Sequence, residues 1–338
     1  MPHDPVTIKD LARILKISVA TVSRALRDTY DVNKETREKV LALAKELKYK
    51  RNYNATGLAG SSTHNIGVIV PYVTNYFFST FLTGVQEIAY PKDFNITLFL
   101  TNDSPEKEFE VTQNLIVSGL DGLLVSVSSH ANSSEHFQEL LDKGLPIVFF
   151  DRVPGDVSAS MVLQDNFEGS FEAVEHLVER GYKSIAHIAG PREMTFTQKR
   201  LEGYKAALQK YNLPVREDWM IFSGFTQESG EKDTYQLLEC EERPDAIFAV
   251  NDRKAVGAIV ALKKKQVAIG TEIGVIGFAN DPSAELISPS LSTIAVPSFE
   301  IGRISCELLL KHIKKRNFQP QKITLPGHLI ARESTIRN

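Results

Sequence analysis

Four short clusters in this 338-residue chain set polar or charged side chains just past runs of apolar residues. They are Asn75-Tyr-Phe-Phe78, Asp151-Arg152, Asn251-Asp252 and Asn280-Asp281. Arg200, in Lys-Arg-Leu-Glu-Gly-Tyr, and Phe225, in Gly-Phe-Thr-Gln-Glu-Ser-Gly, stand apart from them. Carboxylates, amides and a guanidinium beside phenyl faces suit a small polyhydroxylated ligand. Asp252 could accept from two neighbouring hydroxyls, Arg200 could donate to ring or hydroxyl oxygens, and a phenyl ring could cover the apolar side. Several of these residues have a structural alternative. Phe77 and Phe78 are wall or core; Asn75 is a ligand contact or a helix cap; Asp281 is ligand, hinge or cap. Asp165-Asn166 reads as a structural crossover, with a ligand role as its alternative.

A second chemistry is written near the start, in ISVATVSRAL at 17–26. Val19 and Ala20 are short enough to let a helix sink into a DNA major groove and touch thymine methyls. Arg24, one turn on, can bond guanine O6 and N7 together. Thr7, Ser18, Thr21, Ser23, Asn33 and Thr36 supply small polar groups near helix starts, where phosphates are favoured. A three-helix protein-interaction module is the alternative use of the same pattern.

Composition narrows the classes. The chain is long enough for two or three domains, and its hydrophobic and charged fractions of 42% and 24% are those of a globular protein. Two cysteines, Cys240 and Cys306, are too few and too far apart for a disulfide framework or metal cluster. The opening MPHDPVTIKD has no apolar core for a signal peptide, and no apolar run approaches transmembrane length. A cytoplasmic setting without membrane partners is therefore expected. The net charge of −3 hides an asymmetry: residues 1–60 hold 12 Lys/Arg against 7 Asp/Glu, so the head is basic and the remainder acidic. A basic head on an acidic body points to a polyanion partner for the head alone.

The elements that must position these groups are legible. Thr7 and Asp10 have the spacing of a capping box, followed by Ile8, Leu11, Ala12 and Leu15 at helical intervals. Ser18 caps a second helix with Val22, Ala25 and Leu26 inward. Asn33 caps a third with Val40, Leu43, Ala44 and Leu47 as its stripe. Two helices joined by a short turn and braced by a third make a helix-turn-helix. From residue 64 onward, strand-length apolar runs alternate with amphipathic segments. Strands are expected at 66–70, 96–100, 122–127, 147–150, 184–189, 247–250 and 275–278. Helices are expected at 78–89, 168–180, 199–211 and 253–265. Such alternation argues for parallel α/β sheets in two similar lobes, whose ligands bind beyond the carboxyl ends of the strands.

Nothing favours catalysis. No P-loop, Gly-x-Gly-x-x-Gly, His-x-x-x-His or Cys-x-x-Cys occurs, and Ser128-Ser129-His130 lacks a nucleophile elbow. The histidines have no metal-ligand spacing, so neither metal nor cofactor is expected. A sugar-binding receptor or sugar-handling enzyme with an appended basic head is the alternative class.

The stretch TIKDLARILKISVATVSRALRDTYDVNKETREKVLALAKELKY resembles the DNA-binding headpiece of the lactose-repressor (LacI) family of bacterial regulators. It carries Thr-[hydrophobic]-x-Asp-[hydrophobic]-Ala, Ser-x-x-Thr-Val-Ser-Arg and Glu-Thr-Arg-x-x-Val in order; Lys16 stands where the family often has glycine. The likeness continues through NIGVIVP, LDGLLVSV, AVEHLVERGYKSIAHIAGP, RLEGYKAAL, PDAIFAVND and GVIGF. It implies an all-α helix-turn-helix headpiece at 1–50, a hinge at 51–63, and a periplasmic-binding-protein-like α/β domain at 64–338. The lobes would comprise 64–163 with 294–320, and 164–290 with 321–338. It further implies a ligand-responsive regulator, a repressor by preference. A homodimer would read a palindromic operator in double-stranded DNA under control of a small-molecule effector, a sugar or sugar derivative fitting best. Leu58 matches the hinge leucine that wedges into the minor groove. Arg51, Thr56 and Gly57 depart from the usual hinge residues, so a hinge that folds reluctantly without DNA is expected. Effector contacts fall on Phe77, Phe78, Asp151, Arg200, Phe225 and Asp252, and loss of the Asp252 carboxylate would be expected to remove the ligand response.

Overall fold

The computed structural model describes residues 6–26, 32–47, 49, 62–115, 119–129, 134–155, 157–315 and 319–337. The chain divides into two compact units, Met1–Thr63 and His64–Asn338. Of the hinge expected at 51–63, residues 51–61, Leu58 among them, lie outside the described residues.

Three helices form the first unit: α1 (Ile8–Leu15), α2 (Val19–Leu26) and α3 (Lys34–Glu46). Leu11, Ala12, Val22, Ala25 and Val40 meet in its core, with Ile8, Leu15, Leu26, Leu43 and Leu47 packed around them. The helical spacing of these residues thus converts directly into one small buried cluster. At the start of α1 the Asp10 carboxylate accepts from the Thr7 backbone N–H at 2.9 Å and from its hydroxyl at 2.7 Å. These bonds to Thr7 lower the Asp10 pKa. Lys16 ends α1 at φ 54°, a left-handed conformation that glycine takes without strain. That geometry accounts for a preference for glycine in this turn.

The second unit holds two six-stranded sheets. The first lobe is built from β1 (Asn65–Val70), α4 (Tyr76–Ala89), β2 (Asn95–Leu100), α5 (Pro105–Leu115), β3 (Gly122–Val125), α6 (Glu135–Asp142), β4 (Ile147–Phe150) and β5 (Ser160–Gln164). The second follows with α7 (Asn166–Glu179), β6 (Ile185–Ala189), α8 (Thr195–Lys210), β7 (Met220–Phe222), α9 (Gln227–Leu238), β8 (Ala246–Ala249), α10 (Asp252–Lys264), β9 (Gly274–Ala279), α11 (Ser283–Leu286) and β10 (Ser292–Ala295). The chain returns through α12 (Ser298–Lys314) and β11 (Lys322–Leu325) and ends with β12 (His328–Ile330).

Strand order in the first sheet is β11-β5-β4-β3-β1-β2, all parallel. In the second it is β12-β10-β9-β8-β6-β7, with only the β10–β12 pair antiparallel. The central strands are buried on both faces, which is why they read as unbroken apolar runs. The chain therefore crosses between lobes three times: after Gln164, after Ala295 and after Leu325. Three lobe boundaries expected from the sequence need correction, the first by one residue, since Gln164 belongs to β5 of the first sheet. Ile294 and Ala295 belong to the second sheet, where β10 pairs with β9, while β11 pairs with β5 in the first. The reason is burial, since Ile323 and Leu325 of β11 pack against the first lobe's core.

Glycines let α4 and α12 touch backbone to backbone, because a Cβ at Gly84 would lie 2.1 Å from Phe299 O and one at Gly302 2.1 Å from Phe81 O. Among the described residues no helix is long and apolar enough to cross a membrane, and no group of three or more His, Cys, Asp or Glu is placed to hold a metal ion.

Candidate functional site

A cavity of about 490 Å³ opens between the carboxyl ends of the two sheets. Phe77, Phe78, Asp151, Arg200 and Phe225 all line it, so five of the six effector candidates are brought together. Both alternatives weighed for the phenylalanines hold at once, since Phe77 and Phe78 also belong to the first lobe's core. Asn75 lines the wall and caps α4, accepting from Phe77 N at 3.0 Å. Asp165 caps α7 through Glu168 N at 3.0 Å. Asp281 accepts from Ser283 N and Oγ at 3.0 and 2.8 Å, and so acts as a local cap.

Asp252 does not face the cavity. It is 2% exposed and sits behind the wall, under β9. Its Oδ1 accepts from Thr293 Oγ1 at 2.6 Å and its Oδ2 from Asp281 N at 2.7 Å. The Asn251-Asp252 pair begins α10, and the helical turn sends the two side chains in different directions. Asn251 reaches the wall, where its Nδ2 donates to Phe225 O at 3.2 Å.

Burial lifts the Asp252 carboxyl to about 6, against the bonds from Thr293 and Asp281. The native state therefore binds this proton more tightly than the unfolded chain, so stability is present at low pH and lost as pH rises from about 4 through 6. We expect Asp252→Asn to remove about 3 kcal/mol of that pH dependence. Urea titrations of both proteins between pH 4 and 7 would measure it; a stability difference independent of pH would show that this carboxyl does not titrate there.

The charged groups on the wall are largely paired with protein. Asp103, in the loop after β2, accepts from Arg152 Nη1 at 2.7 Å and from Ser129 N and Oγ at 2.8 and 2.7 Å. Arg152 Nη1 also donates to Ser129 Oγ at 2.9 Å. Arg200 donates through Nε to Asn166 Oδ1 at 2.8 Å and through Nη1 to Val250 O. Its guanidinium lies 3.7 Å from the Phe278 ring centroid. Burial pushes the Arg200 pKa down to about 9, partly offset by Asp151 and Asp252, so it stays cationic at neutral pH. Asp151 takes the left-handed φ of 56° at the end of β4. Burial raises its pKa, and Arg152 and Arg200 oppose the rise.

Two contacts span the cleft. Arg253 Nη2 of the second lobe donates to Thr74 O of the first at 3.0 Å, and the Arg152 guanidinium stands 5.2 Å from the Phe225 ring. The Phe225 ring also stacks on Phe196 with centroids 5.4 Å apart. Asp103, Phe196 and Arg253 were not singled out in the sequence, and Ser129 was weighed there only as part of the Ser128-Ser129-His130 cluster. Asp103 had a readable signal, since it follows β2 just as Asp151 follows β4. The others depend on how loops fold back across the cleft.

In the first unit, Val19, Ala20 and Arg24 are exposed on one face of α2, while Thr21 and Ser23 are half-buried. Arg24 Nε lies 3.4 Å from Ala20 O. Ser18 Oγ accepts from Thr21 N at 3.0 Å and shares a hydrogen bond with Thr21 Oγ1 at 2.8 Å. Asn33 Oδ1 accepts from Glu35 N at 2.9 Å, and Thr36 is half-buried in the first turn of α3. Thr7, Ser18 and Asn33 thus use side-chain oxygens to build helix starts.

Two α/β lobes around a cleft, together with a helix-turn-helix unit, define a periplasmic-binding-like sensor carrying a DNA-binding module. Comparison with known proteins agrees. Residues 7–52 match bacterial regulatory proteins of the lacI family, and residues 174–335 match the periplasmic binding protein-like domain. Catabolite control protein A of Priestia megaterium is 32% identical over 331 residues, covering 98% of this chain and 99% of the relative. The HTH-type transcriptional repressor PurR of Actinobacillus pleuropneumoniae serotype 3 (strain JL03) is 33% identical over 335 residues, covering 98% of both. Among solved structures, the Lac repressor dimer bound to operator and the anti-inducer ONPF superposes with a TM-score of 0.84 at 25% identity, covering 98% of this chain and 100% of that one. The transcriptional regulator CelR in complex with cellobiose gives 0.76 at 27% identity, covering 97% and 99%. The chain belongs to the LacI family of bacterial regulatory proteins. It is a ligand-responsive, DNA-binding transcriptional regulator that binds operator DNA and a small-molecule effector, and it is not an enzyme.

Proposed function

We propose that the chain acts in the cytoplasm as a homodimeric repressor reading a pseudo-palindromic operator, and that its effector is an uncharged sugar held in the cleft. One observation carries the effector reading. Each guanidinium on the wall is already engaged with protein oxygen: Arg152 with Asp103 and Ser129, Arg200 with Asn166 and Val250, Arg253 with Thr74. Each guanidinium keeps free N–H groups, but its charge is shared with those acceptors, and a phosphate exchanging onto it would face the Asp103 and Asp151 carboxylates on the same wall. A hydroxylated ring needs no such exchange, because Asp151 can accept from its hydroxyls and Phe77, Phe196 and Phe225 offer faces to its apolar side. Ligand between the lobes would alter cleft closure where Arg253 and Thr74 meet, and closure would be coupled to operator affinity. Such coupling is reciprocal, so effector and operator must shift each other's binding equally.

A thermal-shift screen against monosaccharides, disaccharides, sugar phosphates and nucleobases tests the effector class. Binding at 100 times the dissociation constant stabilises by about 2.7 kcal/mol. Sugars should shift the melt and sugar phosphates should not. A nucleobase hit without a sugar hit would favour a second reading, since nucleobases present the same mix of polar edge and apolar face. Titrations of operator with and without effector then test coupling; independent binding would remove it.

Val19, Ala20 and Arg24 form the proposed base-reading face, with Thr7, Ser18, Thr21, Ser23, Asn33 and Thr36 toward phosphates. A homodimer is required because one short helix touches too few bases to find a site alone. Arg24→Ala should lower discrimination at one symmetric base pair by about 1–3 kcal/mol per half-site and leave effector binding unchanged. Binding assays on operators varied one base pair at a time would show it.

A further inference from the structure

The end of β9 forms part of the cleft wall in a conformation that its residues do not favour. Ala279 lines the cavity at φ 131° and Asn280 follows at φ 57°. A side chain with a Cβ rarely adopts the first of these, and such a conformation persists only when surrounding contacts impose it. Thr293 Oγ1 accepts from Asn280 N at 3.3 Å, and a further imposing contact comes from the far end of the chain. Arg332, just past β12, donates through Nη2 to Asn280 Oδ1 at 2.9 Å and through Nη1 to Leu291 O at 2.8 Å. Its own backbone N–H is anchored on Ser292 Oγ at 2.7 Å. Arg332 is thereby fixed at two points, one of them on its guanidinium, and holds Asn280 with a third. Asp252 secures the next residue, through Asp281 N at 2.7 Å, and its carboxylate also meets the Phe278 backbone.

We propose that Arg332 is a positioning residue of the effector pocket, acting through Asn280 to hold the strained Ala279 wall beside the ligand. This inference rests on the cavity being the effector site. Arg332 itself does not line the cavity, so its influence is indirect. Phe278, which carries the Arg200 guanidinium on its ring, immediately precedes the held segment. Release of Asn280 would let Ala279 leave φ 131° and carry Phe278 and Arg200 with it. The C-terminal segment after β12 thus sets the shape of a pocket it does not touch, and substitutions there would change effector affinity.

The test reads the wall without any ligand, so its failure is distinguishable from failure of the effector assignment. Hydrogen exchange of the full-length protein is followed for the amides of Asn280 and Asp281, which donate to Thr293 Oγ1 and Asp252 Oδ2. In Arg332→Ala these should exchange at least about tenfold faster while β6 and β8 keep their protection. Arg332→Lys, which can still reach one acceptor, should restore most of it. A second measurement keeps the idea testable if Arg332→Ala folds poorly. Ala279→Gly relieves the strain, so it should lower the unfolding constant roughly tenfold in the parent protein. With Asn280 already released, the same change should matter less than about twofold in Arg332→Lys combined with Asn280→Ala. Exchange that rises across the whole second lobe, exchange that does not change, or an equal gain from glycine in both backgrounds would each overturn the proposal.

Discussion

Asp233→Ala should lower the unfolding free energy of the ligand-binding unit by about 3–5 kcal/mol, the usual consequence of leaving a buried charge without its partner. Lys254 has no exposed surface, yet it sits among apolar helices of the second lobe. Its Nζ meets Asp233 Oδ2 at 2.6 Å, Ala189 O at 2.6 Å and Ser223 Oγ at 2.9 Å. Three donors find three acceptors, so the ammonium is satisfied only while all three remain. Burial pulls the Lys254 pKa down and Asp233 opposes that pull. Without Asp233 the native state would bind this proton less tightly than the unfolded chain. Stability of the variant should then rise with pH, from the lowered native value toward that of an ordinary lysine, and the penalty should shrink on the alkaline side. Denaturant titrations at pH 7 and pH 9.5 would reveal both effects. Asp233→Leu combined with Lys254→Met should recover most of the loss, since replacing both partners removes the uncompensated charge. A single variant as stable as the parent at pH 7 would mean that Lys254 is neutral when folded.

Arg200→Ala should weaken effector binding by about 30-fold or more, because truncating a buried hydrogen-bonded cation costs about 2–5 kcal/mol. The guanidinium joins three parts of the second lobe: Asn166 at the lobe crossover, Val250 at the end of β8 and the Phe278 ring. It also faces Asp151, whose charge supports its own. Arg200→Lys should not rescue binding, since an ammonium keeps the charge but loses the planar fork and the stacking on Phe278. Calorimetry with the sugar found by screening would measure the loss, and operator affinity of the ligand-free variant should stay within a few-fold of the parent. If Arg200→Ala bound the sugar normally, Arg200 would be a strut of the wall and no ligand contact.

The pattern of elements was legible because it is local. Seven strands and three helices of the second unit stand within about two residues of where apolar runs and helical spacing place them, while the helix expected at 199–211 begins four residues earlier, at Thr195. The strands that escaped notice are short, and all but Met220–Phe222 carry polar residues, as in Ser160–Gln164 and Ser292–Ala295. Their partners are decided by the returning chain. β11 shows the same limit: Lys322–Leu325 alternates between exposed and half-buried positions, and nothing local says which lobe receives it.

The residues of the site divide in the same way. Position just past a strand's carboxyl end was enough to find Asp151, Asn75 and the neighbourhood of Asn251, since the fold sends every such loop toward one cleft. It was not enough to choose Asn251 over Asp252, because one step along a helix start turns a side chain from the cavity to the strand beneath. The small helices of the headpiece, their caps and the outward Arg24 followed from spacing and side-chain chemistry within some forty residues. What only the tertiary structure decided are the pairings between distant residues: Asp103 with Arg152, Arg253 with Thr74, Lys254 with Asp233, Arg332 with Asn280. Periodicity records which face of an element is buried. A partner across the cleft is selected by the crossing of the chain between two sheets, and that crossing leaves no local trace in the sequence.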